Sequence, residues 1–247
     1  MHDVALALRQ IGYENRAFWR NPPAAFFTFA FPLVFMVVFN VLFGAGAAGF
    51  FTPTIIVFGV VTATFTNIAM TVAIARDDGI LKRMRGTPLP PWAYLAGRVG
   101  HAVLVALLLV VIVAASGTLL FGVDMPWTQL PIMLVVLGIA AVTFSAWGLA
   151  VSGLIPNADA APAIVNAVVL PILFISNVFF DMRQAPDWLD AISHLQPVRH
   201  FADAMLGLYG IGDASGGVPW LELGVMAAWG IAGIAAALRF FSWEPRV

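Results

Sequence analysis

The chain has 247 residues, of which 61% are hydrophobic and only 10% charged, with a net charge of −1 and no cysteine. Its mean hydropathy is +0.94. Soluble domains carry roughly a quarter charged residues, so this composition argues against a soluble enzyme, a nucleic-acid-binding protein and a disordered chain. The missing cysteines remove disulfides, thiolate metal sites and cysteine nucleophiles together. The composition is that of a polytopic membrane protein.

Residues 1–23 come first. At helical spacing, Val4, Leu8, Ile11, Phe18 and Trp19 share one arc, and Arg9, Arg16 and Arg20 form a narrow stripe opposite. This predicts an amphipathic helix lying in the membrane interface, stopped by Asn21-Pro22-Pro23. It does not read as a cleavable signal peptide, because the apolar run starts too late and after three arginines. A membrane crossing needs about 20 mostly apolar residues. Runs of that kind occur at 24–43, 54–75, 101–121, 129–154, 161–180 and 220–238, with no Asp, Glu, Lys or Arg inside them except Glu222 at the edge of the last.

Two segments between the runs stand out. Residues 76–98 pack five basic residues, two acids and three prolines between spans two and three. Asp77 or Asp78 can start a short helix there, and Gly86 with Pro88 can end it. Residues 181–219 predict two short helices, near Asp187 to His194 and Val198 to Leu208. Phe201, Met205 and Leu208 recur at helical spacing, which fits either a segment dipping back against the bundle or an ordinary outer loop. Residues 210–217 are Gly-rich and read as a flexible link.

With the N-terminus inside, ten of the 12 basic residues fall in inner segments, and only Arg183 and Arg199 fall outside. The outer segments hold seven acids: Asp124, Asp181, Asp187, Asp190, Asp203, Asp213 and Glu222. The positive-inside rule then puts both termini in the cytoplasm.

Several chemistries are missing. The single lysine, Lys82, lies between Leu81 and Arg83, so no P-loop can form and the chain cannot itself be a P-loop ATPase. The span interiors hold no ionisable acid or base for proton coupling. The histidines (His2, His101, His194 and His200) are not placed to pair with Ser145 or Ser152 inside the bilayer, and no HExxH motif exists. A metal site among His194, His200, Asp187 and Asp190 is disfavoured against ordinary loop hydrogen bonding. The remaining polar candidates are Thr64, Asn67 and Thr71 on one face of span two, and Asn166 and Asn177 on span five. They fit helix–helix hydrogen bonding or the sparse polar lining of a cavity for an amphiphile. Residues 79–90 fit a topogenic loop beside anionic lipid heads. Their prolines and amphipathic turn fit a docking element for a cytoplasmic partner better.

Three stretches carry a resemblance across nearly the whole chain: FWRNPPAAFFTFAFPLVFMVVFNVLFG, ARDDGILKRMRGTPLPPWAYLAGR and LPILFISNVFFDMRQAPDWLDAISHLQPVRHFADAML. Together they resemble the ABC-2 family of ABC transporter permeases. The departures are Ile80, where the family often has threonine, and Asp77 and Asp78, where glutamates are common. The resemblance implies an all-α membrane protein, a single transmembrane domain over 1–247. It would have six spans, an N-terminal connecting helix bearing Arg9, Arg16 and Arg20, a coupling helix in 76–98, and re-entrant helices in 181–219. It further implies that Gly79, Leu81, Lys82, Arg83, Met84, Arg85, Thr87 and Pro88 dock a separate ATP-binding subunit. Leu81 and Met84 would form the apolar plug, and Lys82, Arg83 and Arg85 would pair with acids.

The same resemblance implies two ATP-binding subunits, a second permease chain, and ATP and Mg held on the partner, with no cofactor in this chain and no nucleic-acid partner. It places the chain in a bacterial cytoplasmic membrane, in contact with membrane lipids. The look is closest to drug and antibiotic exporters of the daunorubicin-permease type. The substrate would then be hydrophobic or amphiphilic, since an ion would meet a large desolvation cost in these spans. Two alternatives stand beside this: a permease for a lipid-linked glycan, whose path should show stacked aromatic side chains, and a membrane anchor subunit that transports nothing.

Overall fold

The computed structural model describes residues 2–87, 89–211 and 217–243. Eleven α-helices follow one another, and there is no strand among the described residues. They are α1 (His2–Trp19), α2 (Pro22–Phe43), α3 (Ala48–Val61), α4 (Asn67–Asp77), α5 (Ile80–Arg85), α6 (Pro91–Phe121), α7 (Leu130–Ser152), α8 (Ala161–Phe174), α9 (Asp187–Ser193), α10 (Pro197–Leu208) and α11 (Trp220–Phe240). A π-helical turn, Thr62–Thr66, joins α3 to α4 without a break. Among the described residues, five helical stretches are long and apolar enough to cross a membrane: Pro22–Phe43, Ala48–Asp77, Trp92–Phe121, Trp127–Ser152 and Trp220–Phe240. α8 is equally apolar but shorter.

Local chemistry sets the breaks. Asn21 Oδ1 accepts the Ala24 N–H at 3.4 Å, and Pro22 and Pro23 occupy the first turn of α2, where a missing N–H is harmless. Gly44 (φ 86°) ends α2, and Gly122 (φ 68°) ends α6 in the left-handed region that favours glycine. The π turn coincides with threonines that back-bond to the helix. Thr62 Oγ1 donates to the carbonyls of Phe58 and Gly59, and Thr64 Oγ1 to that of Val60. Such bonds bend and widen helices.

α3, the π turn and α4 form the central, most buried strut, packed by α2, α6, α7 and α10. α7 and α11 lie against each other along their length. Thr143 Oγ1 donates to the Met226 carbonyl at 3.0 Å, and Trp147 Nε1 to the Trp229 carbonyl at 2.9 Å. α2 leaves Phe26, Phe27, Val34, Val41 and Leu42 exposed, a surface suited to lipid or to another apolar chain.

Two sequence expectations change. The third run predicts a helix over 101–121, but α6 begins at Pro91. Its extra turns are where α1 docks, with Gly97 and Gly100 lying against Gln10 and Ile11. α1 therefore turns Ile11 and Phe18 toward protein, while Leu8 and Trp19 stay exposed beside exposed Arg9, Arg16 and Arg20. The fifth run predicts a continuous helix over 161–180, yet α8 stops at Phe174. Asn177 adopts φ 63°, and the unwound carbonyl of Ile175 accepts from Gln196 Nε2 at 2.8 Å. Hydropathy cannot register an acceptor satisfied from 21 residues away. For Val198 to Leu208 the sequence left two readings open, and α10 takes the one that lies against the bundle. Nearly all of its residues are buried, and it packs on α3, α7 and α11.

Candidate transport path and coupling segment

At the end of the bundle where α2 meets α3, six phenylalanines surround a vestibule of about 780 Å³: Phe43, Phe50, Phe51, Phe174, Phe179 and Phe180. Asp181 and Gln184 lie at its edge. Phe179 is the hub. Its ring centroid lies 5.9 Å from Phe35, 5.8 Å from Phe39, 5.6 Å from Phe58 and 5.2 Å from Phe174, all tilted. The unwound residues after α8 bring Phe179 here, since a continued helix would have aimed it elsewhere. A second, smaller cavity of about 210 Å³ lies between the π turn, α7, α8, α10 and α11, bordered by Phe65, Phe144, Trp147 and Trp229.

Behind the vestibule, α9 and α10 are tied down by charge. Arg199 Nη1 donates to Asp190 Oδ1 and to Ser193 Oγ, each at 3.0 Å. Asn177 Nδ2 donates to Asp203 Oδ1 at 2.7 Å, and Asn177 Oδ1 accepts the Met182 N–H at 3.1 Å. Burial pushes the Tyr209 phenol up to about 12, and its hydroxyl donates to Met125 Sδ at 3.6 Å.

At the opposite end, Gly79 (φ 68°) turns the chain from α4 into α5. Lys82 and Arg83 are exposed, Met84 is half-buried and Thr87 is exposed. Leu81 is fully buried within its own chain, in a cluster with Ile68, Val72, Ala75, Tyr94 and Ala102. The apolar plug expected of Leu81 is therefore inverted: this side chain anchors α5 to the bundle and is not offered to a partner. Pro88 and the side chain of Arg85 lie outside the described residues.

The polar candidates from the sequence line neither cavity. Thr64 is fully buried, with its hydroxyl donated to Val60 at 2.6 Å. Thr71 donates to the Asn67 carbonyl at 2.7 Å. Asn67 is half-buried and Asn166 is exposed on α8. None of these, nor Asn177, lines the vestibule or the smaller cavity. Asn177 instead holds the unwound segment in place. Sequence reasoning missed the phenylalanine cluster. Its only signal was the density of Phe, 20 in the chain, at the facing ends of α2, α3 and α8. It also placed Arg76 in the segment between spans two and three, whereas Arg76 belongs to α4 and is 1% exposed.

The sequence profile of the ABC-2 type transporter family matches residues 10–209. The chain is 25% identical over 175 residues to the probable multidrug ABC transporter permease YbhR of Escherichia coli K12, covering 70% of this chain and 47% of that protein. It thus spans about half the length of that relative. It is 26% identical over 165 residues to the inner membrane transport permease YadH of Escherichia coli K12, covering 66% of this chain and 64% of that protein. It is 28% identical over 211 residues to the daunorubicin resistance ABC transporter permease protein DrrB1 of Streptomyces coeruleorubidus, covering 81% of this chain and 74% of that protein. The apolar helical bundle and a family match over most of the chain converge: this protein belongs to the ABC-2 type transporter family and is a multi-pass membrane permease subunit.

Proposed function

We propose that the chain exports a hydrophobic or amphiphilic compound, driven by a separate ATP-binding subunit. The observation that carries this reading is the vestibule of about 780 Å³ walled by six phenylalanines, in a bundle whose spans carry Arg76, Asp77, Arg98, Glu222 and Arg239 only toward their ends. Such a wall receives ring systems and alkyl chains leaving the bilayer, and gives little to an ion. In this reading α8 completes a sixth crossing together with the unwound residues that follow it. Both termini then lie in the cytoplasm, and the vestibule opens outward. Lys82 and Arg83, exposed on α5, together with Arg85, meet acids on the ATP-binding subunit. Met84, Gly79, Thr87 and Pro88 shape the same segment, and α1 with Arg9, Arg16 and Arg20 lies along the inner leaflet. Two ATP-binding subunits, holding ATP and Mg, and a second permease chain complete the transporter.

A lipid-linked glycan is the second reading, and the aromatic wall is what favours it. Sugar rings stack on aromatic faces, but their hydroxyls also need partners. Asp181 and Gln184 are the polar side chains lining this vestibule, which supports the amphiphile.

The test is to co-purify the chain with the ATP-binding protein encoded beside it. Reconstituted vesicles are then assayed for ATP-dependent movement of the lipophilic dye rhodamine 6G and of a lipid-linked oligosaccharide. Dye export that falls with Phe179→Ala supports the proposal. Movement of the oligosaccharide alone transfers the assignment to the glycan. A chain that yields no ATP-binding partner from its native membrane returns it to a membrane anchor.

A further inference from the structure

Arg76 and Asp77 are the last two residues of α4, just before the turn into α5. The Arg76 side chain is almost wholly buried. Its Nη1 donates to the Ser152 carbonyl at 2.8 Å, and its Nη2 to the Ile155 carbonyl. Ser152 is the last residue of α7 and Ile155 lies in the turn just beyond it, so the guanidinium sits at the negative end of that helix. Asp77 Oδ2 accepts the Ala158 N–H at 2.9 Å, three residues before α8 begins. Two successive side chains of α4, one cationic and one anionic, thus grip both halves of the α7–α8 turn.

The surroundings make this grip stiff. Leu81 locks α5 into the cluster that also holds Ile68, Val72 and Ala75 of α4, so α5 cannot shift without α4. On the far side, Gly153 lies against the carbonyl of Phe240 at the end of α11, where a Cβ would collide. The turn can therefore follow α4 but cannot yield toward α11. Releasing the guanidinium would leave a charge, one helix-end carbonyl and one turn carbonyl in a poorly solvated place, which is costly.

We infer that Arg76 and Asp77 are positioning residues. They form the joint through which displacement of α5 passes to the α7–α8 turn and along α8 to the vestibule wall at Phe174. The inference rests on the reading of α5 as the segment that the ATP-binding subunit moves. It adds a named route across the bundle, built from contacts that hold two helices and a turn as one body.

The chain contains no cysteine, so a single introduced thiol carries a spin label at one chosen place. In the complex with the ATP-binding subunit, one label is placed directly after α5 through Gly86→Cys and, in a separate preparation, one on α8 through Asn166→Cys. Spectra are compared before and after trapping with ATP and vanadate. Both labels are expected to respond. In Arg76→Ala and Asp77→Ala the Gly86 response should survive, while the Asn166 response falls at least ~5-fold, the lower end of ordinary coupling between sites. Asp77→Asn, which keeps an oxygen to accept the Ala158 N–H, should restore it.

If Arg76→Ala does not assemble, the comparison of Asp77→Ala with Asp77→Asn carries the test. An Asn166 response that persists in Asp77→Ala, or is absent from the unsubstituted chain while the Gly86 label responds, overturns the joint alone. Silence of both labels overturns the joint and the reading of α5 together.

Discussion

Arg199 Nε donates to Asp203 Oδ2 at 2.6 Å, one turn along α10, although only 6% of the Arg199 side chain is accessible. The same guanidinium reaches Asp190 on α9, and the same carboxylate accepts from Asn177 beyond α8. Three separate segments therefore meet on one buried charge. Asp203→Ala would leave Arg199 with one acid and free the amide of Asn177. Breaking a buried pair costs about 3 kcal/mol at the lower end, and the partial exposure of Asp203 with the second acid nearby puts the loss there. Thermal unfolding in detergent, followed by tryptophan fluorescence, should show a clearly lowered midpoint for Asp203→Ala and a smaller drop for Asp203→Asn.

Leu81 and its neighbours on α5 should separate into two phenotypes. Reversing Lys82, Arg83 and Arg85 to glutamate should abolish co-purification with the ATP-binding subunit while the chain still inserts and stays monodisperse. Leu81→Ala should do the opposite. It removes a fully buried side chain and should cost about 2–3 kcal/mol of the chain's own stability. Pull-down yield and size-exclusion profiles, measured side by side, check both. Normal association after charge reversal would count against docking at α5.

Gly148 of α7 lies against the π turn. A Cβ there would meet the Phe65 carbonyl at 2.8 Å and Ile68 Cβ at 3.2 Å. A backbone oxygen cannot rotate away, so Gly148→Val must push α7 off the central strut. Overpacking of this kind costs about 1–3 kcal/mol. The expected result is a lower unfolding midpoint in detergent and faster proteolysis, whereas Gly138→Ala, with open space around it, should leave both unchanged.

Tyr209 gives a test in pH. Its phenol ionises near 12 in the folded chain against an ordinary value of 10.0, because burial disfavours the phenolate. A raised folded value means that the native state holds the proton more tightly than the unfolded one. The associated stability is complete below pH 10.0 and is lost as pH rises toward 12. Unfolding midpoints should fall across that window, and Tyr209→Phe should flatten the fall. A variant as steeply pH-sensitive as the parent would show that another group is responsible.

Hydropathy and charge alone determined a great deal about this protein. Continuous runs of about 20 apolar residues free of charge satisfy their backbones in lipid as helices, so the long helices and their order could be read directly. The helical spacing of Phe201, Met205 and Leu208 marked α10 as well, and Lys82 between Leu81 and Arg83 removed the P-loop. Tertiary structure decided what depends on partners distant in sequence. α8 ends at Phe174 because Gln196 and Asn177 satisfy the backbone that unwinds after it. Leu81 faces inward because α4 and α6 offer it a pocket on that side. Arg76 looks like a loop charge until the end of α7 and the turn after it bring two carbonyls to meet it, and the phenylalanines form a vestibule only once three helix ends converge. Periodicity reports which face of a segment is apolar, but the three-dimensional packing chooses what that face meets.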